Sequence, residues 1–255
     1  LSGQARAACV PAIRVLALTG IVALASVAVT HAGETAASAE KPKSGMSAAQ
    51  GEKPGGMAAP TAAKEGMTPA EPATPSIKVG EKAPDFTLTD TDGKKHTLSD
   101  YAKAGKIVVI EWFNPDCPFI KKHHTKATTM NDLAAEQQKK DVVWLAINSG
   151  APGKQGAGLE RNKAAKTEYK MTYPILLDEA GTVGRMYGAK TTPHMFVIGK
   201  DGTLIYKGAI DDDKSPDKVG ATLYVRTAVN SYAAGEKVEP SETTSYGCSV
   251  KYGDK

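Results

Sequence analysis

Hydrophobic and polar positions follow a different pattern in each of three segments of the chain. The first is a continuous apolar run from Val15 to Val29, interrupted only by Thr19 and Ser26. Arg6 and Arg14 precede it, and Thr30-His31-Ala32 supplies the small residues of a cleavage site, with Ser26-Val27-Ala28 as a competitor. Residues 1–32 therefore read as an export signal; retained, the same run would act as a membrane anchor. Cys9 lies ahead of the apolar run, and cleavage would remove it. In the second segment, 33–78, the pattern disappears. Ala, Pro, Lys, Glu, Gly and Ser dominate, and Ile77 is the only branched aliphatic side chain. Such a stretch buries too little apolar surface to offset its ordering entropy and reads as a disordered linker. Gly45-Met46, Gly56-Met57 and Gly66-Met67 recur within it. Spaced thioethers suit a soft metal such as Cu(I), but low-complexity drift is the favoured reading.

Periodicity returns at Val79. Asp85 to Thr89 alternates, Asp92-Gly93 marks a turn, and Lys95 to Leu98 completes a hairpin. Ser99 or Asp100 is placed to cap a short helix. Lys106 to Trp112 and Val142 to Asn148 are short apolar runs rich in β-branched residues, the mark of buried strands. Between them, Pro118 to Lys140 is long enough for one helix, with proline tolerated in its first turn. Helices are expected at Leu159 to Lys170 and Thr182 to Tyr187, and strands at Tyr173 to Leu177, His194 to Ile198 and Thr203 to Lys207. A last helix runs from Pro216 to Ala234 and stops at Gly235. The tail from Glu236 has little periodicity. Strands alternating with helices and ending in a meander define an α/β fold: a central mixed sheet with helices on both faces, an N-terminal β-hairpin extension, and parallel first buried strands.

Composition narrows the function. No aromatic residue precedes Phe86, so the core belongs to residues 79–255. Lys+Arg number 32 against 28 Asp+Glu, and there is no arginine-rich stripe, so nucleic acid is not an expected partner. Three cysteines exclude a disulfide-dense scaffold. After loss of the leader two remain, Cys117 and Cys248, and in an oxidising compartment two thiols pair or work as a redox couple. Motifs for phosphate-cradling loops, serine hydrolases and zinc proteases are absent, and no cofactor is called for. Asp211-Asp212-Asp213 reads as a solvated charge cluster.

Cys117 carries the chemistry. It sits where the strand ending at Trp112 turns into a helix, at the carboxyl end of a central strand. Free N–H groups, the helix dipole, Lys121, Lys122 and His123 favour a thiolate there, while Asp116 opposes it. A thiolate so placed attacks a disulfide or a peroxide O–O bond. The alternative is a buried structural cysteine. Cys248, on an irregular tail, can reach a distant site and leave it again. It suits either a resolving cysteine or a permanent bridge to Cys117. Thr192-Pro193, before a buried strand, is open to either a cis or a trans bond.

The opening Gly80-Glu81-Lys82-Ala83-Pro84-Asp85-Phe86, the strand–Cys117-Pro118–helix, Thr192-Pro193, the Phe196 to Gly208 hairpin and the ending Gly247-Cys248-Ser249-Val250-Lys251-Tyr252 together resemble the thioredoxin superfamily. Within it they resemble the redoxin branch, the alkyl hydroperoxide reductase/thiol-specific antioxidant family, and its peroxiredoxin-like exported members. The resemblance implies a thioredoxin-like fold, a peroxidatic or disulfide-attacking Cys117, a cis Pro193 and a partner role for Cys248. Two departures stand out. Asn114 and Ile120 occupy the positions where a Cys-x-x-Cys pair would need its second thiol. Ile110 and Asn114 stand where a typical peroxiredoxin has Pro and Thr, with Asn114 able to hydrogen-bond near the sulfur as Thr does.

The expected function is that of an exported, periplasmic thiol-based oxidoreductase acting on a peroxide or a protein or small-molecule disulfide, with a thiol reductant protein as electron donor. Membrane association follows only if the leader is uncleaved. Two other readings compete. One is a copper-binding module using Cys117, His123, His124, His194 and Met195, although adjacent histidines on a helix diverge and one should face solvent. The other is a non-catalytic scaffold held by a Cys117–Cys248 bridge.

Overall fold

The computed structural model describes residues 76–254. The leader and nearly all of the linker, with its Gly-Met repeats, lie outside the described residues. Ile77, assigned above to the linker, is buried and belongs to the domain core.

The hairpin forms as its turn chemistry requires. Strands β1 (Thr87–Asp90) and β2 (Lys95–Thr97) pair antiparallel around Gly93, whose φ of +86° only glycine adopts freely. Helix α1 (Leu98–Lys103) follows at once, with Thr97 at its N-cap rather than Ser99 or Asp100. The first-turn amide of Ser99 is instead satisfied by the Asp85 carboxylate at 2.9 Å.

Strands β3 (Ile107–Trp112), β4 (Val142–Asn148) and β5 (Ile175–Leu177) run parallel, as their apolar runs predict. Strand β6 (Thr191–Thr192) leads into β7 (Met195–Ile198), which lies antiparallel beside β3, and β8 (Leu204–Gly208) pairs with β7. The seven-stranded sheet has the order β2-β1-β5-β4-β3-β7-β8. Its strand period of two divides β3 cleanly. Val108, Ile110 and Trp112 face a core shared with Leu98 of α1 and with Val183 and Tyr187 of α5 (Thr182–Tyr187). Val109 and the adjoining Phe113 face the other core, covered by α3 (Thr129–Gln138), α4 (Leu159–Glu168) and α6 (Tyr224–Ala233).

Two expected helices are shorter than their patterns suggest. The segment Pro118–Lys140 is a four-residue helix α2 (Pro118–Lys121), a π-helical turn Lys122–Lys126, and then α3. The Thr125 hydroxyl donates back to the Lys121 carbonyl at 2.8 Å, which bends a helix, and Thr128 is left-handed at φ 43°. The helix expected from Pro216 starts only at Tyr224. Carboxylates hold the preceding backbone as a loop: Asp211 accepts from the Gly220 amide, Asp212 from Thr222 and Asp213 from Ser215. Asp211 is therefore buried rather than solvated.

The tail is mostly irregular but tightly placed. Its strand β9 (Cys248–Ser249) pairs antiparallel with β6, Thr192 opposite Cys248. Among the described residues no helix is long and apolar enough to cross a membrane.

Candidate active site around two thiols

Cys117 is the N-cap of α2, and Pro118 fills the first helical position, where no N–H is needed. The approach from β3 is fixed by Asn114. Its backbone carbonyl accepts from the Cys117 amide, its side-chain oxygen accepts from the Asp116 amide at 2.9 Å, and its side-chain nitrogen donates to the Gln155 carbonyl. This corrects one expectation: Asn114 builds the turn and makes no hydrogen bond to the sulfur.

The Cys117 side chain is 1% exposed. Its thiol donates to the Thr192 carbonyl at 3.0 Å. That carbonyl is turned toward it by a cis bond between Thr192 and Pro193, so of the two geometries left open by the sequence the structure has the cis one. Because Thr192 pairs with Cys248, the same two-residue edge receives both cysteines. Both are free thiols, and Cys248 is the more exposed. Burial pushes the Cys248 thiol up to about 11, with the neighbouring Cys117 side chain adding to the effect.

The charges differ from their sequence assignment. Lys121 is exposed on α2. Lys122 is fully buried and turned into the protein, where its ammonium donates to the Asp213 carbonyl at 2.7 Å and the Tyr246 hydroxyl at 3.3 Å and lies 3.6 Å from Asp211. Asp116, expected to oppose a thiolate, is engaged by Arg161 through two hydrogen bonds of 2.8 and 3.0 Å. Burial alone would lower the Arg161 pKa, but bonding to Asp116 outweighs it and holds the guanidinium above its ordinary value.

Both histidines of the adjacent pair are buried, so neither faces solvent. The π-helical turn brings them inward. His124 Nε2 meets Glu111 at 2.9 Å, whereas His123 Nε2 meets the Tyr246 hydroxyl at 3.0 Å. His194 is buried too, with Nδ1 accepting from the Lys190 amide and its ring against Phe196. These rings are engaged separately. No group of three or more His, Cys, Asp or Glu arranged to hold a metal occurs among the described residues.

The tail does not swing freely, contrary to its irregular pattern. Tyr246 is buried before Cys248. After it, the Val250 amide donates to the Lys190 carbonyl, the Lys251 carbonyl accepts from the Ala151 amide, and the Tyr252 hydroxyl donates to the Ala189 carbonyl at 2.8 Å. Arg185 lies over the Tyr252 ring, 4.7 Å from its centre. Gly247 passes so close that a Cβ there would sit 2.1 Å from the Thr192 carbonyl oxygen. Arg161 and Tyr246 were given no role from the sequence, and Asp211 and Tyr252 were read only as part of a charge cluster and of the chain's ending. The two aromatics flanking Gly-Cys in an otherwise aperiodic tail are the signal that could have drawn attention to it.

A cysteine capping the helix after a central strand, facing a cis-proline across the sheet end, defines a thioredoxin-fold redoxin. The AhpC/TSA family model matches residues 79–207, and the chain belongs to the AhpC/TSA family. It is 35% identical over 129 residues to the thiol-disulfide oxidoreductase ResA of Geobacillus thermodenitrificans, which covers 51% of this chain and 68% of that protein. Solved structures match more of the chain. A Geobacillus kaustophilus protein of 29% identity superposes with a TM-score of 0.64 over 70% of this chain and 94% of its own. A Sinorhizobium meliloti protein of 27% identity gives 0.63 over 71% and 98%.

Proposed function

We propose that this redoxin is a thiol-based oxidoreductase in which Cys117 is the nucleophile and Cys248 its resolving partner. The observation that carries the reading is the meeting of both thiols at the Thr192 edge. A small hydroperoxide is the substrate that suits the site best. Cys117 is nearly sealed, and the β6 edge that would pair with an extended polypeptide already holds β9. The Cys117 thiolate attacks the O–O bond. A sulfur–oxygen bond forms, the alkoxide leaves with a proton, and Cys117 becomes a sulfenic acid. Cys248 then attacks that sulfur, an S–S bond forms and water departs. A dithiol donor returns two electrons and restores both thiols.

In this reading the Thr192 carbonyl and the cis Pro193 hold the nucleophile's sulfur, Asn114 fixes its turn, and Lys121 adds exposed positive charge on the same helix. Disulfide substrates are the second reading, supported by the activity named for the Geobacillus relative. There the mixed disulfide at Cys117 is resolved by Cys248, releasing the substrate thiol. Residues 1–32 direct export in either case, and the donor is a thiol protein of that compartment.

The test is intact mass spectrometry after one equivalent of peroxide, then a thiol reductant, beside a turnover assay. Loss of two hydrogens in the wild type, their return on reduction, and peroxide consumption abolished in Cys117→Ser support the reading. Equal consumption by wild type and Cys117→Ser ends the peroxidase version. Turnover of a disulfide but not of peroxide selects the second.

A further inference from the structure

Cys248 is fastened on both sides, and the two fastenings differ in kind. Downstream, Val250 packs in one core of the sheet and Tyr252 lies against it. Upstream, Tyr246 belongs to the other core, the one that contains Cys117. The tail thus crosses from one face of the sheet to the other, and Cys248 sits at the crossing.

The Tyr246 anchor is polar at its tip. Its hydroxyl lies 3.3 Å from Lys122 Nζ and 3.0 Å from His123 Nε2, and it donates a short hydrogen bond to Asp211 Oδ1. A phenol has one proton to donate and two lone pairs, so these three partners use its full capacity. His123 supplies its Nε2–H, leaving Nδ1 as a buried atom without a partner. Burial holds this ring neutral, down at about 3, with the Lys122 charge adding to the effect. Lys122 and Asp211 are both fully enclosed at their side chains, and such a pair is retained only when its remaining donors and acceptors are met. Phe119 closes the ring edge-on at 5.8 Å.

Three of these contacts come from one short stretch. Phe119 is in α2, which Cys117 caps, and Lys122 and His123 open the turn that continues it. The tail is therefore bound to the element that carries the nucleophile. We propose that Tyr246 is a positioning residue for the cysteine pair: its hydroxyl, clamped by Lys122, His123 and Asp211, fixes Cys248 against Cys117. The proposal rests on the redox-pair reading above. Holding two reacting groups in register converts their encounter into a unimolecular step, and the clamp is what supplies that register upstream of Cys248. Without the hydroxyl, the upstream hold on β9 falls back to packing of the ring in the core and against Phe119.

The test uses Tyr246→Phe, which keeps the ring, beside Ile110→Val, which removes one methyl group from the core that anchors the tail only downstream of Cys248. In the reduced protein, alkylation of Cys248 is followed by peptide mass spectrometry. Separately, closure of the Cys117–Cys248 bond and its equilibrium with glutathione are measured. Tyr246→Phe is expected to raise Cys248 alkylation about tenfold and to weaken the bond's equilibrium with glutathione by a similar factor, the scale of losing a hydrogen bond to a charged group. Ile110→Val should change neither. Wild-type alkylation and equilibrium in Tyr246→Phe, or the same changes in Ile110→Val, overturn the proposal. If the wild type itself forms no bond between the two sulfurs, the redox reading fails, while the alkylation arm still decides whether Tyr246 places Cys248.

Discussion

The two faces of the central sheet are built from the same strands and serve different ends. On the face of Val108, Ile110 and Trp112, β3 offers hydrophobic side chains to the core, and its one polar contact is the Trp112 indole N–H donated to Ser149 at 3.0 Å, which leads on to the buried Asp178. On the other face β3 presents Glu111, fully buried, which accepts from Tyr173 at 2.9 Å, meets His124, and lies 3.4 Å from the Trp144 nitrogen. Lys122, His123, Asp211 and Tyr246 are enclosed on the same side, and so is Cys117. Buried carboxylates occur elsewhere, at Asp90 and Asp178, but the pairs whose side chains are fully enclosed, Lys122–Asp211 and His124–Glu111, lie on the side of the thiols. Ion pairs of this type add little to stability over apolar side chains of equal volume, so their concentration there points to placement as their role.

The comparison can be broken first at Asp211. Asp211→Ala strands the Lys122 ammonium and should cost about 3–5 kcal/mol in urea unfolding. The paired replacement Lys122→Met with Asp211→Asn should return stability to within about 1–2 kcal/mol of wild type, because no lone charge remains and the amide oxygen still accepts a hydrogen bond. A double variant as unstable as the single one would show that the polar face holds the fold together. The next effect is at Gly247, where φ is +129° and a Cβ would meet the Thr192 carbonyl. Gly247→Ala should cost about 1–3 kcal/mol and release β9, read as faster amide exchange at Val250.

A third effect is acid sensitivity. His123 and His194 are each held down at about 3 by burial, the lysine charges adding, against an ordinary 6.5. Between these values the unfolded chain binds more protons, so stability rises with pH and is lost on acidification from about 6.5 toward 3, at about 1.4 kcal/mol per pH unit for each histidine. His123→Gln should flatten that slope by one histidine's share in urea titrations at stepped pH. The smallest effect is expected at Tyr252→Phe, which loses one hydrogen bond to the Ala189 carbonyl and should cost about 1 kcal/mol in thermal unfolding.

The regular frame was legible because period and turn chemistry are local. Val142–Asn148 and Thr182–Tyr187 fall where their residues indicate, and the Asp-Gly turn and parallel β3 and β4 follow the same logic. The place of Cys117 at a strand–helix turn was legible for the same reason. What was not legible depends on distant partners. Lys122 and His123 read as charge beside the Cys117 sulfur, and one of the two adjacent histidines as solvent-facing, until the π-helical turn directs Lys122 and His123 at Tyr246, far away in sequence, and His124 at Glu111. Asp211 looks like one of three surface acids until the Gly220 amide and the Tyr246 hydroxyl claim it. The tail has no period because no helix or long strand orders it. Two tyrosines and a close-passing glycine fix it instead.

A bond between Cys248 and a cysteine so early in the fold as Cys117 would have an effect beyond turnover. A covalent link between them would close a loop of well over a hundred residues, restricting the unfolded chain by on the order of 4–5 kcal/mol. Oxidised molecules would then outlast reduced ones under heat, and the redox poise of the surroundings would be written into how long the protein survives.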